Sequence, residues 1–183
     1  GVIGTNIVAT AQPDGYTLLI IQPSLVIKPH MFKDMPHVAP PRFAPVSCVV
    51  DAVQIMTVNP KMPAQSVKAL IALAKARPGQ INFGSPGLGT SPHMTAELFK
   101  QTAGVDMPQV LFKGSGAAFI SLLSGEISAM VSTALSSMPH VKSGRIRPLA
   151  VTAARRVKIL PDVPTFVESG MPTFVVSQWF GIL

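Results

Sequence analysis

Short unbroken apolar runs recur along this chain, and each ends in a cluster of Gly, Ser, Thr, Asn or Pro. Runs of that length with such boundaries read as buried strands. They cover residues 16–21 (YTLLII), 46–50 (entered through Phe43-Ala44-Pro45), 52–58 (AVQIMTV), 80–83, 109–112 (QVLF), 126–131, 146–152 (IRPLAVT) and 174–183. Between them the period changes to that of a helix. Val67, Leu70, Ile71 and Ala74 recur at i, i+3, i+4 and i+7, with Lys68 and Lys75 on the other side. Ser66 is placed to cap this helix and Pro78-Gly79 to stop it. Ser91 is placed to cap a second helix, with Pro92 at its first position, Met94, Leu98 and Phe99 as inner stripe and Gly104 at its end. Residues 118–123 predict a third, with Phe119, Leu122 and Leu123 inward, and residues 136–142 a fourth before Gly144. Residues 7–11 predict a short helix and Pro13-Asp14-Gly15 a turn. The stretch 23–41 holds Pro23, Pro29, Pro36, Pro40 and Pro41, and predicts loop with short helical turns at most. Residues 166–169 predict one helical turn closed by Gly170.

Three of these junctions share a design. Residues 82–93 read NFGSPGLGTSPH, residues 113–116 read KGSG, and residues 132–134 read STA. Each is a strand, then small hydroxyl and glycine residues, then a helix. Repeated strand–turn–helix units predict a parallel α/β sheet. In such a sheet the turns share one edge, which is where ligands bind. Small residues there let backbone N–H groups approach an anion. The plainer reading of 82–93 is a tight turn without a ligand; three turns at one edge favour an anion-binding site.

Composition sharpens this. The 183 residues suffice for one domain or two small ones. Hydrophobic content is 48%, charged content 13% and mean hydropathy +0.42, which fits continuous buried strands and excludes disorder. Net charge is +7, from 15 Lys+Arg against 8 Asp+Glu. The basic residues are scattered, and the tightest group, Arg155, Arg156 and Lys158, has no aromatic residue interleaved to stack a base. A nucleic-acid partner is therefore not expected. Cys48, the only cysteine, excludes an internal disulfide and a cysteine-based metal site, and its valine neighbours predict a buried thiol. No apolar stretch reaches the ~18 residues of a membrane span. The chain opens at Gly1 with neither Met nor a basic-then-apolar leader, so a removed leader or a fragment is expected.

The ordered motifs GxxGxN (from Gly1), PDGYTLL (from Pro13), FAPV (from Phe43), NFGSPGLGTSPHMTAELF (from Asn82), FKGSGAA (from Phe112), PHVKSGRIRPLAVT (from Pro139) and LPDVPTFVESG (from Leu160) resemble the substrate-binding proteins of tripartite tricarboxylate transporters, the Bug proteins. The resemblance covers nearly the whole chain. It implies an α/β, two-domain periplasmic binding protein (type II-like) fold hinged about a ligand cleft. Residues 1–52 and 164–183 would be parts of the first domain and residues 53–163 the second. Family members continue past both ends of this sequence, so the chain would lack both ends of the first domain, including another ligand-binding loop. The implied function is an extracytoplasmic, periplasmic solute receptor, a monomer that binds a small carboxylate and delivers it to membrane transporter subunits. By position, ligand contacts carry over to Ser85, Gly89, Thr90 and Ser91 in the first turn and to Gly114, Ser115 and Ala117 in the second. Ser132 and Thr133 form the third. Ser132 stands where relatives often carry aspartate, which favours a plain carboxylate over an amino acid. Phe112 stands where they carry tyrosine, which removes a hydroxyl donor.

No catalytic residue, cofactor or metal is expected. His93 and Glu97 stand four apart on a helix with no third ligand in sight, so His93 reads as a structural hydrogen-bond partner. Ser85, Ser91 and Ser115 lack the GxSxG context of a nucleophile, and no His–Asp relay is evident. Lys113 is either a solvated lysine or a partner for a carboxylate. Trp179 and Phe180 read as core or cleft wall. The alternative function is an α/β enzyme holding a phosphorylated or acyl substrate in the same turns.

Overall fold

The computed structural model describes residues 2–32 and 42–183. Gly1 of the first motif and Pro36, Pro40 and Pro41 lie outside the described residues. The chain divides into two compact units. The first holds the described part of Gly1–Ala52, with Gly89–Ser91 and Gln178–Leu183; the second holds Val53–Leu88 and Pro92–Ser177.

In the first unit, α1 spans Val2–Ala9, β1 Ile20–Ile21 and α2 Ser24–Met31. Helix α1 begins earlier than the predicted 7–11. The predicted strand 16–21 shrinks to its last two residues. Tyr16 and Leu18 are exposed, and the Asp14 carboxylate accepts the Tyr16 N–H at 3.0 Å, so side-chain turn bonding replaces a ladder there. Helix α2 is a full helix where loop was expected. Its Pro29 lies in the second turn, and the ladder still closes with Phe32 N–H donating to Lys28 O at 3.0 Å. Strand β1 pairs antiparallel with the late strand β7 (Ser177–Ile182), Ile20 opposite Ile182. Leu19, Ile21 and Leu25 form a small core with Trp179 against it.

One strand, β2 (Ser47–Val58), replaces the two predicted at 46–50 and 52–58. Its residues through Ala52 belong to the first unit and those from Val53 to the second. Asp51 does not break it, because a polar residue in a strand need only stay exposed, and here it does. Cys48 is also exposed, which corrects the expected buried thiol.

The second unit adds α3 (Val67–Ala76), β3 (Phe83–Ser85), α4 (Ser91–Ala103), β4 (Gln109–Leu111), α5 (Ser115–Ser124), β5 (Ala129–Thr133), α6 (Ala134–Lys142) and β6 (Arg147–Val151). Strand β3 pairs parallel with both β4 and β5. Strand β2 pairs antiparallel with both β5 and β6. The sheet is therefore mixed rather than parallel, with β2 the one reversed strand.

Ser66 caps α3 as expected, its hydroxyl accepting Ala69 N–H at 3.1 Å. Helix α4 differs. Its buried stripe is Thr95, Ala96 and Phe99, while Met94 and Leu98 are exposed at 39% and 41%. Phe99 stands edge-on to Phe83 at 5.8 Å and to Phe174 at 6.3 Å, and Phe166 lies tilted against Phe174 at 4.4 Å. Phe166, Met171 and Phe174 thus complete the second unit's core, and this is why that unit continues to Ser177 instead of ending near residue 163.

Candidate functional site

Because β3, β4 and β5 run the same way, their carboxyl ends share one edge of the second unit's sheet. The first turn leaves from Ser85, the last residue of β3. A Cβ at Gly84 would lie 2.1 Å from Ile127 Cδ1, so a residue without a side chain suits this position beneath the buried Ile127. The second turn is tied to the first. Phe112 N–H donates to Ser85 O at 2.9 Å, and Gly114 N–H to Pro86 O at 3.0 Å. Gly114, at φ +107°, precedes α5 without supplying a cap. Ser115, Gly116 and Ala117, in the first turn of α5, are exposed, and N–H groups of a first helical turn have no acceptor within the helix. In the third turn the Ser132 and Ser137 hydroxyls bond each other, both buried. Thr133 caps α6, its Oγ1 accepting Ser136 N–H at 3.3 Å.

Six of the nine predicted residues therefore stand at one edge of the second unit: Ser85, Gly114, Ser115, Ala117, Ser132 and Thr133. Gly89, Thr90 and Ser91 group with the first unit. There Gly89 holds φ +70°, and a Cβ would sit tightly, 3.1 Å from Lys28 Cγ and 3.2 Å from Met31 Sδ. Ser91 is the first residue of α4 and not its cap; its Oγ is buried and meets no hydrogen-bond partner among the described residues.

A polar network that no motif announced holds the first turn. The Ser85 hydroxyl donates to Gln109 Oε1. Gln109 Nε2 donates to Glu97 Oε1 at 2.6 Å and to His93 O at 3.2 Å. Lys100 Nζ donates to both Glu97 oxygens, at 2.9 and 3.0 Å. With its nitrogen between two acceptors, the amide must present its oxygen to Ser85. The single Ser85 hydrogen is then spent, and only lone pairs remain on that oxygen. Burial pushes Glu97 up, but the bonds from Lys100 and Gln109 outweigh it and hold the carboxyl below its usual range. Burial lowers His93, with the Lys100 charge adding and Glu97 partly offsetting, so the imidazole stays neutral near pH 7. Glu97 is thus engaged by Lys100 and Gln109, and among the described residues no group of three or more His, Cys, Asp or Glu could hold a metal.

A second residue missed by motif reading is Gln54. It is 0% exposed, opposite Thr133 in the β2–β5 register. Its backbone is satisfied by Thr152, at 3.1 and 2.9 Å. Its side-chain Nε2 and Oε1 meet no partner among the described residues. The only signal in the sequence was a lone amide inside an apolar strand. Lys113 is exposed beside the second turn. A cavity of about 360 Å³ lined by Asn59, Lys61, Leu73, Arg77, Gln80 and Ile127 opens at the opposite edge, where the parallel strands begin. It holds none of the predicted residues, and ligands of α/β sheets collect at the other edge.

This architecture is that of solved periplasmic binding proteins. The profile of the family described as "Tripartite tricarboxylate transporter family receptor" matches residues 1–183, and the chain belongs to that family. It is 37% identical over 185 residues to protein BugT of Bordetella pertussis, covering 100% of this chain and 57% of BugT. It superposes with a TM-score of 0.90 on Rpa4515 of R. palustris, solved with adipate, at 32% identity over 100% of this chain and 61% of that one. Periplasmic binding protein BugD gives 0.90 at 30% identity, over 99% and 60%. The chain thus spans little more than half the length of the relatives it matches.

Proposed function

We propose that the protein is an extracytoplasmic receptor that binds a small organic carboxylate at the carboxyl edge of the second unit's sheet and delivers it to a tripartite tricarboxylate transporter. The observation that carries this reading is the convergence of three turns with no acidic or basic side chain among Ser85, Gly114, Ser115, Ala117, Ser132 and Thr133. Backbone amides at the start of α5 supply donors for an anion, and charge-assisted hydrogen bonds of that kind contribute about 1.5–3 kcal/mol each. Nothing at this edge is arranged to break a bond: Ser85 donates to an amide, Thr133 caps a helix, and His93 is neutral beside an engaged carboxylate. The likeness to a protein solved with adipate supports a carboxylate as the ligand class. No helix of the described residues is long and apolar enough to cross a membrane.

The test is a thermal-shift series with mono-, di- and tricarboxylates, adipate included. Ligand at a hundred times its Kd should stabilise the folded protein by about 2.7 kcal/mol, and NMR should find the ligand unchanged afterwards. Absence of a shift with every carboxylate, or turnover of any of them, refutes the proposal.

A further inference from the structure

We infer that the cavity of about 360 Å³ at the amino edge of the second unit's sheet is a second binding site, and that it takes an organic monoanion with an apolar body. Three connections meet there: residues 59–63 between β2 and α3, residues 77–81 between α3 and β3, and residues 125–128 between α5 and β5. All of them belong to the second unit. Buried Asn59, Ile81 and Ile127 make the floor, and exposed Lys61, Arg77, Gln80 and Ser124 make the rim. The volume equals that of about twelve waters, at ~30 Å³ each, which is room for about a dozen non-hydrogen atoms at the small end of ligand pockets.

The charge on the cavity is of one sign. Among the described residues, Lys61 and Arg77 are the only charged side chains that line it. Neither joins an ion pair or a side-chain hydrogen bond among the described residues. Glu126, beside Gly125, takes the Ser121 hydroxyl, and neither it nor Asp106, near Gly79, lines the cavity. The plainer role for the two cations is to offset helix ends, because α3 ends at Arg77 and α5 at Gly125. A helix C-terminus carries only about half a negative charge, so two of them leave about one of the two positive charges uncompensated. The α5 end is also met without the cations: Asn59 Nδ2 donates to Leu122 O at 2.7 Å, and Gly125 N–H donates to it at 3.3 Å. The surplus matches one anionic group, which an Arg fork and a Lys ammonium can grip together. A dianion would bring one charge too many. Met62, Leu73, Ile81 and Ile127 leave the rest of the wall apolar, so the remainder of the ligand is hydrocarbon.

The test uses p-toluenesulfonate, a monoanion on an apolar ring, followed by NMR on the purified protein. The amide signals of Gln80 and Gly125 should move and saturate, with a Kd of about 1 mM or tighter. The neutral p-toluenesulfonamide and the dianion benzene-1,4-disulfonate should each bind at least about tenfold more weakly. Lys61→Gln and Arg77→Gln, both at exposed positions, should each weaken the sulfonate by about tenfold and leave the fold intact. Ser124→Glu, which sets a negative charge on the rim, should do the same without touching either cation. Excess adipate should leave the shifts in place, because the turns at the carboxyl edge are a different site. The inference is overturned by the absence of saturable shifts, by affinity that survives both glutamine variants, by a disulfonate that binds as tightly as the monoanion, or by displacement with adipate.

Discussion

The bond between Ser85 and Gln109 lends itself to a double-mutant cycle. Ser85→Ala removes the donor and leaves the half-buried Gln109 Oε1 facing a methyl group, which costs about 1 kcal/mol for a lost neutral hydrogen bond. Gln109→Met keeps the length of the side chain but loses three bonds: from Ser85, to His93 O and to Glu97. Two are neutral, at about 1 kcal/mol each, and one is charge-assisted, at about 1.5–3 kcal/mol. Glu97 keeps its Lys100 partner and its side chain is 41% exposed, so the low end applies and the sum is about 3.5 kcal/mol. In the double variant the shared bond is lost once, so the two costs should fall short of additivity by about 1 kcal/mol. Urea unfolding of the four proteins measures this, provided the slopes agree. Costs that add to within about 0.3–0.5 kcal/mol would refute the coupling, and with it the argument that Ser85 is left as an acceptor.

Two further outcomes test the packing and the electrostatics. Gly84→Ala should cost about 1–3 kcal/mol through overlap with Ile127 Cδ1, and Ile127→Val in the same chain, which deletes that atom, should recover most of it; equal unfolding midpoints for the single and double variants would contradict the close approach. His93 has its folded pKa lowered from the usual 6.5, so the folded state binds fewer protons and stability should fall as pH drops from about 6.5 toward that lower value. His93→Gln should flatten this slope in urea midpoints taken between pH 5 and 8, and an unchanged slope would remove His93 as its source. Glu97 is lowered as well, so its contribution is present above the ordinary carboxylate pKa and is lost only below about 4.3, outside that window.

Local chemistry was legible wherever one residue answers one need. Ser66 caps α3 because a hydroxyl three residues before an N–H is a local arrangement. Gly104, at φ +61°, follows the last residue of α4 for the same kind of reason. The strand–turn–helix repeat placed β3, β4 and β5 with their helices, and thereby six candidate ligand residues at one sheet edge. The inner stripe of α4 was misjudged because hydrophobicity and burial are not the same property. Met94 and Leu98 are apolar but turned outward, whereas Thr95 is polar and turned in, beneath a helix whose docking is set by Phe99 against Phe83 and Phe174.

What the sequence determined by itself was a set of local decisions: which runs are strands, which small residues make turns, and which ordered motifs mark the family. The tertiary structure decided what depends on partners far apart in the chain. It made β2 a single reversed strand, because its neighbours β5 and β6 lie more than seventy residues away in the register Gln54–Thr133 and Ile55–Val151. It drew Phe166, Met171 and Phe174 into the second unit's core. It also chose the polarity of the site. A serine in a glycine-rich turn is by nature both donor and acceptor, and only Gln109, oriented by Glu97 and His93 O, commits its hydrogen and leaves its lone pairs. A hydrogen-bond direction belongs to a pair of groups, and the pairs here form only when the chain is folded.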